Sequence, residues 1–184
     1  LIIGAETLSR IVNWQDRNTC VLFGDGAGAA VLGVSDEPGV LHSKMCANGE
    51  FASSLHMDGR MNHGEWDGAK FINMDGQAVF KFAVKALSDV AKDIITEANF
   101  PVEKIDWLVP HQANSRIIDS TAKHLGLPRE KIILTVAEHA NTSAASIPLA
   151  LDEGIRTGKI QRGQHLLLEG IGGGFAWGAM LLRY

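Results

Sequence analysis

The feature that most constrains this chain is an alternation that starts at Asp75 and continues to its end, in which amphipathic helices and short apolar strands follow one another. Val79, Phe80, Phe82, Ala83, Ala86, Leu87, Val90, Ala91, Ile94 and Ile95 make an apolar stripe at helical spacing. Asn99-Phe100-Pro101 ends that helix, because proline cannot continue it. Next come a predicted strand over Ile105 to Val109 and a helix over Asn114 to Leu125 closed by Gly126. A strand over Ile132 to Thr135 and a helix over Ser143 to Arg156, closed near Gly158, follow. His165 to Glu169 and Ala176 to Arg183 read as two strands joined by Gly172-Gly173-Gly174. Elements alternating in this way bury a sheet under helices, which predicts an α/β layered fold on a mostly parallel sheet.

The earlier part of the chain is less regular. Leu1-Ile2-Ile3-Gly4 reads as a buried strand of the kind found mid-sheet, so the chain is expected to be a fragment or one chain of a split protein. Glu6 to Asn18 is loop-like. Cys20-Val21-Leu22-Phe23 leads into Gly24-Asp25-Gly26-Ala27-Gly28-Ala29-Ala30-Val31-Leu32, whose small residues permit close packing within a strand. Asp36 to Gly39 is a turn, Val40 to Ala47 a strand, and Asn48 to Asn73 a long polar segment expected to be an irregular functional loop or lid. An apolar strand followed by a Gly/Ala-rich strand occurs at both ends of the chain, which suggests a duplicated half-fold whose first copy is only partly included.

A 46% hydrophobic fraction over 184 residues supports one substantial core. No run of 18 apolar residues and no signal peptide is present, so a cytoplasmic protein without a membrane span is expected. A formal charge of −4 argues against nucleic-acid binding. Cys20 and Cys46 are expected to be free, buried thiols. His56, Asp58, His63, Glu65 and Asp67 match no standard metal-ligand spacing, so no metal is expected.

Chemistry is concentrated in two segments. His111 follows Pro110 and an apolar strand, which delivers its ring to the carboxyl edge of the sheet, where open α/β folds bind ligands. A buried histidine bonded to a carbonyl accounts for it equally well. Asn141 stands before an apolar helix, and taken alone a helix cap explains it better than a ligand donor does. Paired at two strand-to-helix switch points, the two side chains could cradle one oxyanion. The glycine run is either a tight turn or a place where N–H groups face a ligand unobstructed. Gly26-Ala27-Gly28 lacks the spacing and the following helix of a phosphate loop. Lys81 and Lys85, and Arg116 and Lys123, lie on helix faces that are either simply solvated or a dock for an acidic partner.

Assembled, Phe23-Gly24-Asp25-Gly26-Ala27-Gly28-Ala29-Ala30-Val31-Leu32, Asp106-Trp107-Leu108-Val109-Pro110-His111-Gln112-Ala113-Asn114, Asn141-Thr142-Ser143-Ala144-Ala145-Ser146 and Gly172-Gly173-Gly174-Phe175-Ala176-Trp177-Gly178 closely resemble the C-terminal half of the bacterial β-ketoacyl-acyl-carrier-protein synthase III family. The resemblance implies a thiolase-like layered α/β fold with mixed sheets covered by helices. Residues 1–35 would end the N-terminal half, and 36–184 would form the C-terminal half. It implies a Claisen condensation in which an acyl-CoA acylates a cysteine and a malonyl carrier protein loses CO₂ to attack it. His111 and Asn141 would donate to the malonyl thioester oxygen, and the Gly173 N–H would serve the acyl thioester oxyanion.

By the same resemblance Met74, Gly76, Phe80, Ala113 and Asn114 line the pantetheine tunnel. Gln112, Ala113, Asn114, Ser115 and Arg116, with Lys81 and Lys123, meet the acyl carrier protein. No cofactor is implied, CoA and carrier thioesters being substrates, and the complete enzyme would be a homodimer. The family's nucleophile lies in an Ala-rich Cys-Gly-Phe segment, and neither Cys20 nor Cys46 has that context. An N-terminal half carrying that cysteine is therefore the expected partner. Ile171 replaces the usual Phe before the glycine run, which leaves the acyl length open. A non-catalytic carrier-protein or CoA binding module, or a related acyltransferase of secondary metabolism, are the alternatives.

Overall fold

The computed structural model describes residues 1–184. Its centre is a four-stranded sheet in the order β3-β10-β9-β8, made of β3 (Val40–Ala47), β8 (Trp107–Pro110), β9 (His165–Gly172) and β10 (Ala176–Arg183). Only β8 and β9 run parallel; β10 is antiparallel to both β9 and β3. The sheet is thus mixed rather than mostly parallel, because the glycine run makes β9 and β10 a hairpin instead of a crossover pair.

Alternation along the strands sends successive residues to opposite faces. Leu167 and Leu181 pack with Val90, Ile94, Ile118 and Ala122 of helices α1 (Gly76–Glu97) and α2 (Ser115–Leu125). Leu166 and Val109 pack with Ala150 of α4 (Ser146–Arg156) and with Ile160 on the other face. The helix ends are set locally. The Asp75 side chain accepts from the N–H groups of Gln77 and Ala78 to start α1, and Asn114 accepts from Ile117 N–H to start α2. Gly126, at φ 71°, closes α2 in the left-handed conformation that glycine adopts without strain.

Two further segments differ from the sequence expectation. Ile132 to Thr135 is not a strand: only Ile132 bridges Leu108. Beyond it the N–H groups of Thr135 and Val136 donate to the Gln112 side chain instead of a neighbouring strand, and a four-residue helix, α3 (Val136–His139), follows. Nor is the segment from Asn48 to Asn73 irregular. It holds a 3-10 turn over Gly49–Ser54 and two small antiparallel pairs, β4 (Leu55–Met57) with β7 (Ile72–Met74) and β5 (Arg60–Asn62) with β6 (Glu65–Asp67). Polar composition hid them, since nearly all their residues are exposed or half-exposed and no buried face imposes an alternating pattern.

The first strand, β1 (Ile2–Thr7), pairs antiparallel with β2 (Asp25–Ala30) as a separate two-stranded sheet. The strand is not buried as its apolar run predicts: Ile3, on the uncovered face, is 64% exposed, and Ile2, on the same face as Gly4 but at the strand's end, is 53% exposed. The Gly4 face lies against the 3-10 turn Ser143–Ala145 and α4. The small residues serve this contact: a Cβ on Gly28 would stand 2.6 Å from Pro148 Cβ, and one on Gly4 2.1 Å from the Ala144 carbonyl oxygen. Both cysteines are free and half-buried.

Candidate functional site

His111 extends the parallel ladder one residue past β8. Its N–H donates to the Glu169 carbonyl at 2.7 Å, which carries the side chain over the carboxyl edge of the sheet. The ring Nδ1 lies 2.6 Å from Ser146 Oγ at the start of α4, and Nε2 has no partner within the protein. Burial lowers the imidazole pKa from 6.5 to about 4, so the ring is neutral near pH 7. In the neighbouring strand position, the Glu169 side chain is wholly enclosed, with neither carboxyl oxygen hydrogen-bonded. Burial raises its pKa to about 8.

Gln112 is fully buried and spends its whole hydrogen-bonding capacity on the fold. Its Nε2 donates to the carbonyls of Pro110 at 2.9 Å and Ile133 at 3.1 Å, and its Oε1 accepts from Thr135 N–H at 2.9 Å and Val136 N–H at 3.1 Å. This side chain clamps the His111 loop to the segment that leads, through α3, to Asn141.

Asn141 is held by its backbone and aimed by its side chain. Its N–H donates to Leu22 O and its carbonyl accepts from Gly24 N–H, both at 2.9 Å, which ties it to the chain entering β2. Gly24 permits this approach, since a Cβ there would stand 2.8 Å from the His139 carbonyl oxygen. The Asn141 Oδ1 accepts from Ser143 N–H at 3.0 Å; α4 itself begins at Ser146 with no side-chain cap, so the expected helix cap is instead a local turn closed by this one hydrogen bond. It occupies only the oxygen. Both Nδ2 hydrogens remain available, and the turn hydrogen bond fixes which end of the amide is the donor.

His111 and Asn141 line one cavity of about 450 Å³. Its walls come from α1, α2 and the end of β9, with 11 of 19 residues hydrophobic, so a donor there acts in a poorly solvated setting. Two neutral N–H groups in such a place suit an oxygen that gains negative charge during reaction. The turn after β9 is anchored by buried Phe175, whose ring stacks on Phe82 at 4.6 Å between centroids. Gly172 and Phe175 line the cavity. Gly173 is exposed and outside the cavity lining, its N–H makes no hydrogen bond, and a Cβ on it would stand 3.0 Å from the Leu55 carbonyl oxygen.

Residues 95–184 match the family profile described as 3-oxoacyl-[acyl-carrier-protein] synthase III C terminal, and residues 1–49 match the profile 3-oxoacyl-[acyl-carrier-protein] synthase III. A β-ketoacyl-[acyl-carrier-protein] synthase III of Neisseria gonorrhoeae is 65% identical over all 184 residues, which span 58% of that relative's length. The chain belongs to the synthase III family. Among solved structures, the synthase III of Aquifex aeolicus superposes with a TM-score of 0.91 at 45% identity, covering 99% of this chain and 56% of that one. A priming β-ketosynthase from a polyketide biosynthetic pathway superposes with a TM-score of 0.91 at 35% identity, covering 98% and 55%. The thiolase-like layered architecture is therefore that of the synthase III enzymes.

Within this synthase III framework, Met74, Gly76, Phe80, Ala113 and Asn114 all lie on the cavity wall. Asn114 also caps α2 through its oxygen, as Asn141 caps its own turn. Lys81, Ser115, Arg116 and Lys123 are exposed, and none of the three cations forms an ion pair, while Phe80 and Ile117 beside two of them line the cavity. Gln112 departs from its expected place on a docking surface: its side chain is turned inward and its polar atoms are used. Sequence reasoning missed Leu22, Phe23 and Leu55 on the wall. The only signal for the first two was their position before the glycines that admit Asn141. Neither Cys20 nor Cys46 lines the cavity.

Proposed function

We propose that this chain supplies the decarboxylating half of an initiating condensation: acyl-CoA, typically acetyl-CoA, and malonyl-acyl carrier protein give 3-oxoacyl-acyl carrier protein, CO₂ and CoA. The observation that carries the reading is the pair of unengaged side-chain nitrogens, His111 Nε2 and Asn141 Nδ2, on one apolar cavity, which this reading takes as the two donors. Loss of CO₂ from the malonyl thioester leaves an electron pair that becomes an enolate, with its charge on the thioester oxygen. Donors fixed in advance stabilise that charge without removing a proton, and each contributes about 10²–10³ in rate. The enolate carbon then attacks the acyl group carried by a cysteine thioester, and the thiolate leaves.

The cysteine belongs to an N-terminal half of the complete enzyme, of which residues 1–35 are the closing part and 36–184 the second half. The free Gly173 N–H, with the N–H of that cysteine, would receive the acyl thioester oxyanion. The unpaired cations Lys81 and Arg116, each next to a cavity-lining residue, with Lys123 further along α2, would steer an acidic carrier protein, which a net-negative chain needs a local patch to attract. Met74, Gly76, Phe80, Ala113 and Asn114 would enclose the pantetheine arm. A cytoplasmic homodimer is the expected state of the complete enzyme. No helix here is long and apolar enough to cross a membrane.

Residues 1–184 alone should form no acyl-enzyme from radiolabelled acetyl-CoA, because no thiol lines the cavity. Adding a polypeptide that carries the Ala-rich cysteine segment should yield both the acyl-enzyme and 3-oxoacyl product. Condensation by residues 1–184 alone would contradict the proposal. A related acyltransferase of secondary metabolism, such as a priming ketosynthase of polyketide synthesis, is the second reading, favoured by Ile171 on the cavity wall in place of the family's usual Phe. Mass spectrometry of the acyl group trapped on the complete enzyme distinguishes the two.

A further inference from the structure

Ser146 is buried behind His111, at 1% exposure, and the condensation chemistry does not use it. Its hydroxyl has two neighbours: the Gln112 N–H at 3.3 Å, which can only donate, and His111 Nδ1 at 2.6 Å. A hydroxyl carries one proton and must direct it at an acceptor when buried. Gln112 N–H offers none, so the Ser146 proton points at Nδ1, and the ring's own hydrogen is forced onto Nε2. With the opposite tautomer, Ser146 Oγ would face two donors while its own proton had no acceptor among the atoms around it.

We propose that Ser146 is the positioning residue that fixes His111 as the Nε2–H tautomer, the only neutral form that can donate into the cavity. The relay is short and rigid at both ends. Gln112, whose side chain is fully engaged, sets the backbone N–H that occupies one lone pair of Ser146 Oγ. Ser146 opens α4, the helix packed on the glycines of β2, and so joins the scaffold of His111 to that of Asn141. The inference deepens the proposed function, since an Nε2 that accepted rather than donated would repel an enolate oxygen.

The test is histidine-selective ¹⁵N NMR on the complete enzyme, with the His111 signals assigned by their loss in a His111→Gln variant. The expected spectrum has a protonated Nε2 and an unprotonated, hydrogen-bonded Nδ1, and in Ser146→Ala both tautomers become populated. Malonyl decarboxylation in Ser146→Ala should fall about tenfold, the size of one lost hydrogen bond, with cysteine acylation unchanged as the control for folding. A protonated Nδ1 in the wild type overturns the proposal, as does a Ser146→Ala variant with unaltered tautomer signals. Because the NMR readout requires no turnover, a failure of the condensation reading leaves it interpretable.

Discussion

The molecule contains two apolar sheets that fare differently. In the four-stranded sheet Leu166, Leu167 and Leu181 are fully enclosed, whereas in the β1–β2 pair Ile2, Ile3 and, just beyond it, Val31 are 53%, 64% and 80% exposed. Similar side chains thus meet opposite environments: Leu166 and Leu167 lie under helices on the two faces of their sheet, whereas Ile3 lies on the uncovered face of the pair and Ile2 at the end of its covered one. The comparison bears on the site. His111 grows from the doubly covered sheet, while Asn141 is hydrogen-bonded to the chain entering the half-covered pair. One donor therefore rests on the most enclosed part of the molecule, and the other on a lattice of glycine contacts at its open side.

The sharpest way to break this contrast is to truncate both sheets. Leu167→Ala should lower the unfolding free energy by about 2–5 kcal/mol, the range for a buried leucine. Ile3→Ala, on the open face, should change it by less than about 0.5 kcal/mol. Urea titrations read both, and equal losses would erase the distinction. Between these extremes, Gly28→Ala forces a Cβ against Pro148 and should cost about 1–3 kcal/mol by thermal unfolding. It should also impair the Asn141 side of the site more than the His111 side.

A smaller effect concerns pH. Glu169 is raised from 4.5 to about 8, so the stability tied to its protonated form is complete below 4.5 and is lost as pH rises to about 8. His111 is lowered from 6.5 to about 4, so the stability tied to its neutral form is complete above 6.5 and is lost as pH falls toward 4. Of the two, only Glu169 titrates between pH 6.5 and 8. Its contribution is a decline on the order of 2 kcal/mol across that window, and Glu169→Gln should remove it in denaturant titrations at the two pH values.

Much of the doubly covered region was legible in the sequence, and less of the rest. Val40–Ala47 matches β3 residue for residue, and Asp75 and Gly126 mark helix ends because caps are local chemistry. The interior role of Gln112 was not legible. Three of its four hydrogen bonds reach more than twenty residues along the chain and replace the ladder that Ile132 to Thr135 was expected to form. The exposed face of β1 was missed for a related reason: an apolar run specifies what a strand can bury, not what covers it. His111 and Asn141 were identified as candidates by position, whereas the reason both nitrogens are free, a local turn bond on the oxygen of one and a serine behind the other, required the packed structure.

The most direct measurement is the partition of the two half-reactions in the complete enzyme carrying His111→Ala. Decarboxylation of the malonyl thioester should fall by about 10²–10³ while transfer of the acyl group from CoA to the cysteine is retained. Undiminished decarboxylation in that variant, or equal loss of both half-reactions with the fold intact, would contradict the assignment of His111 as an enolate donor.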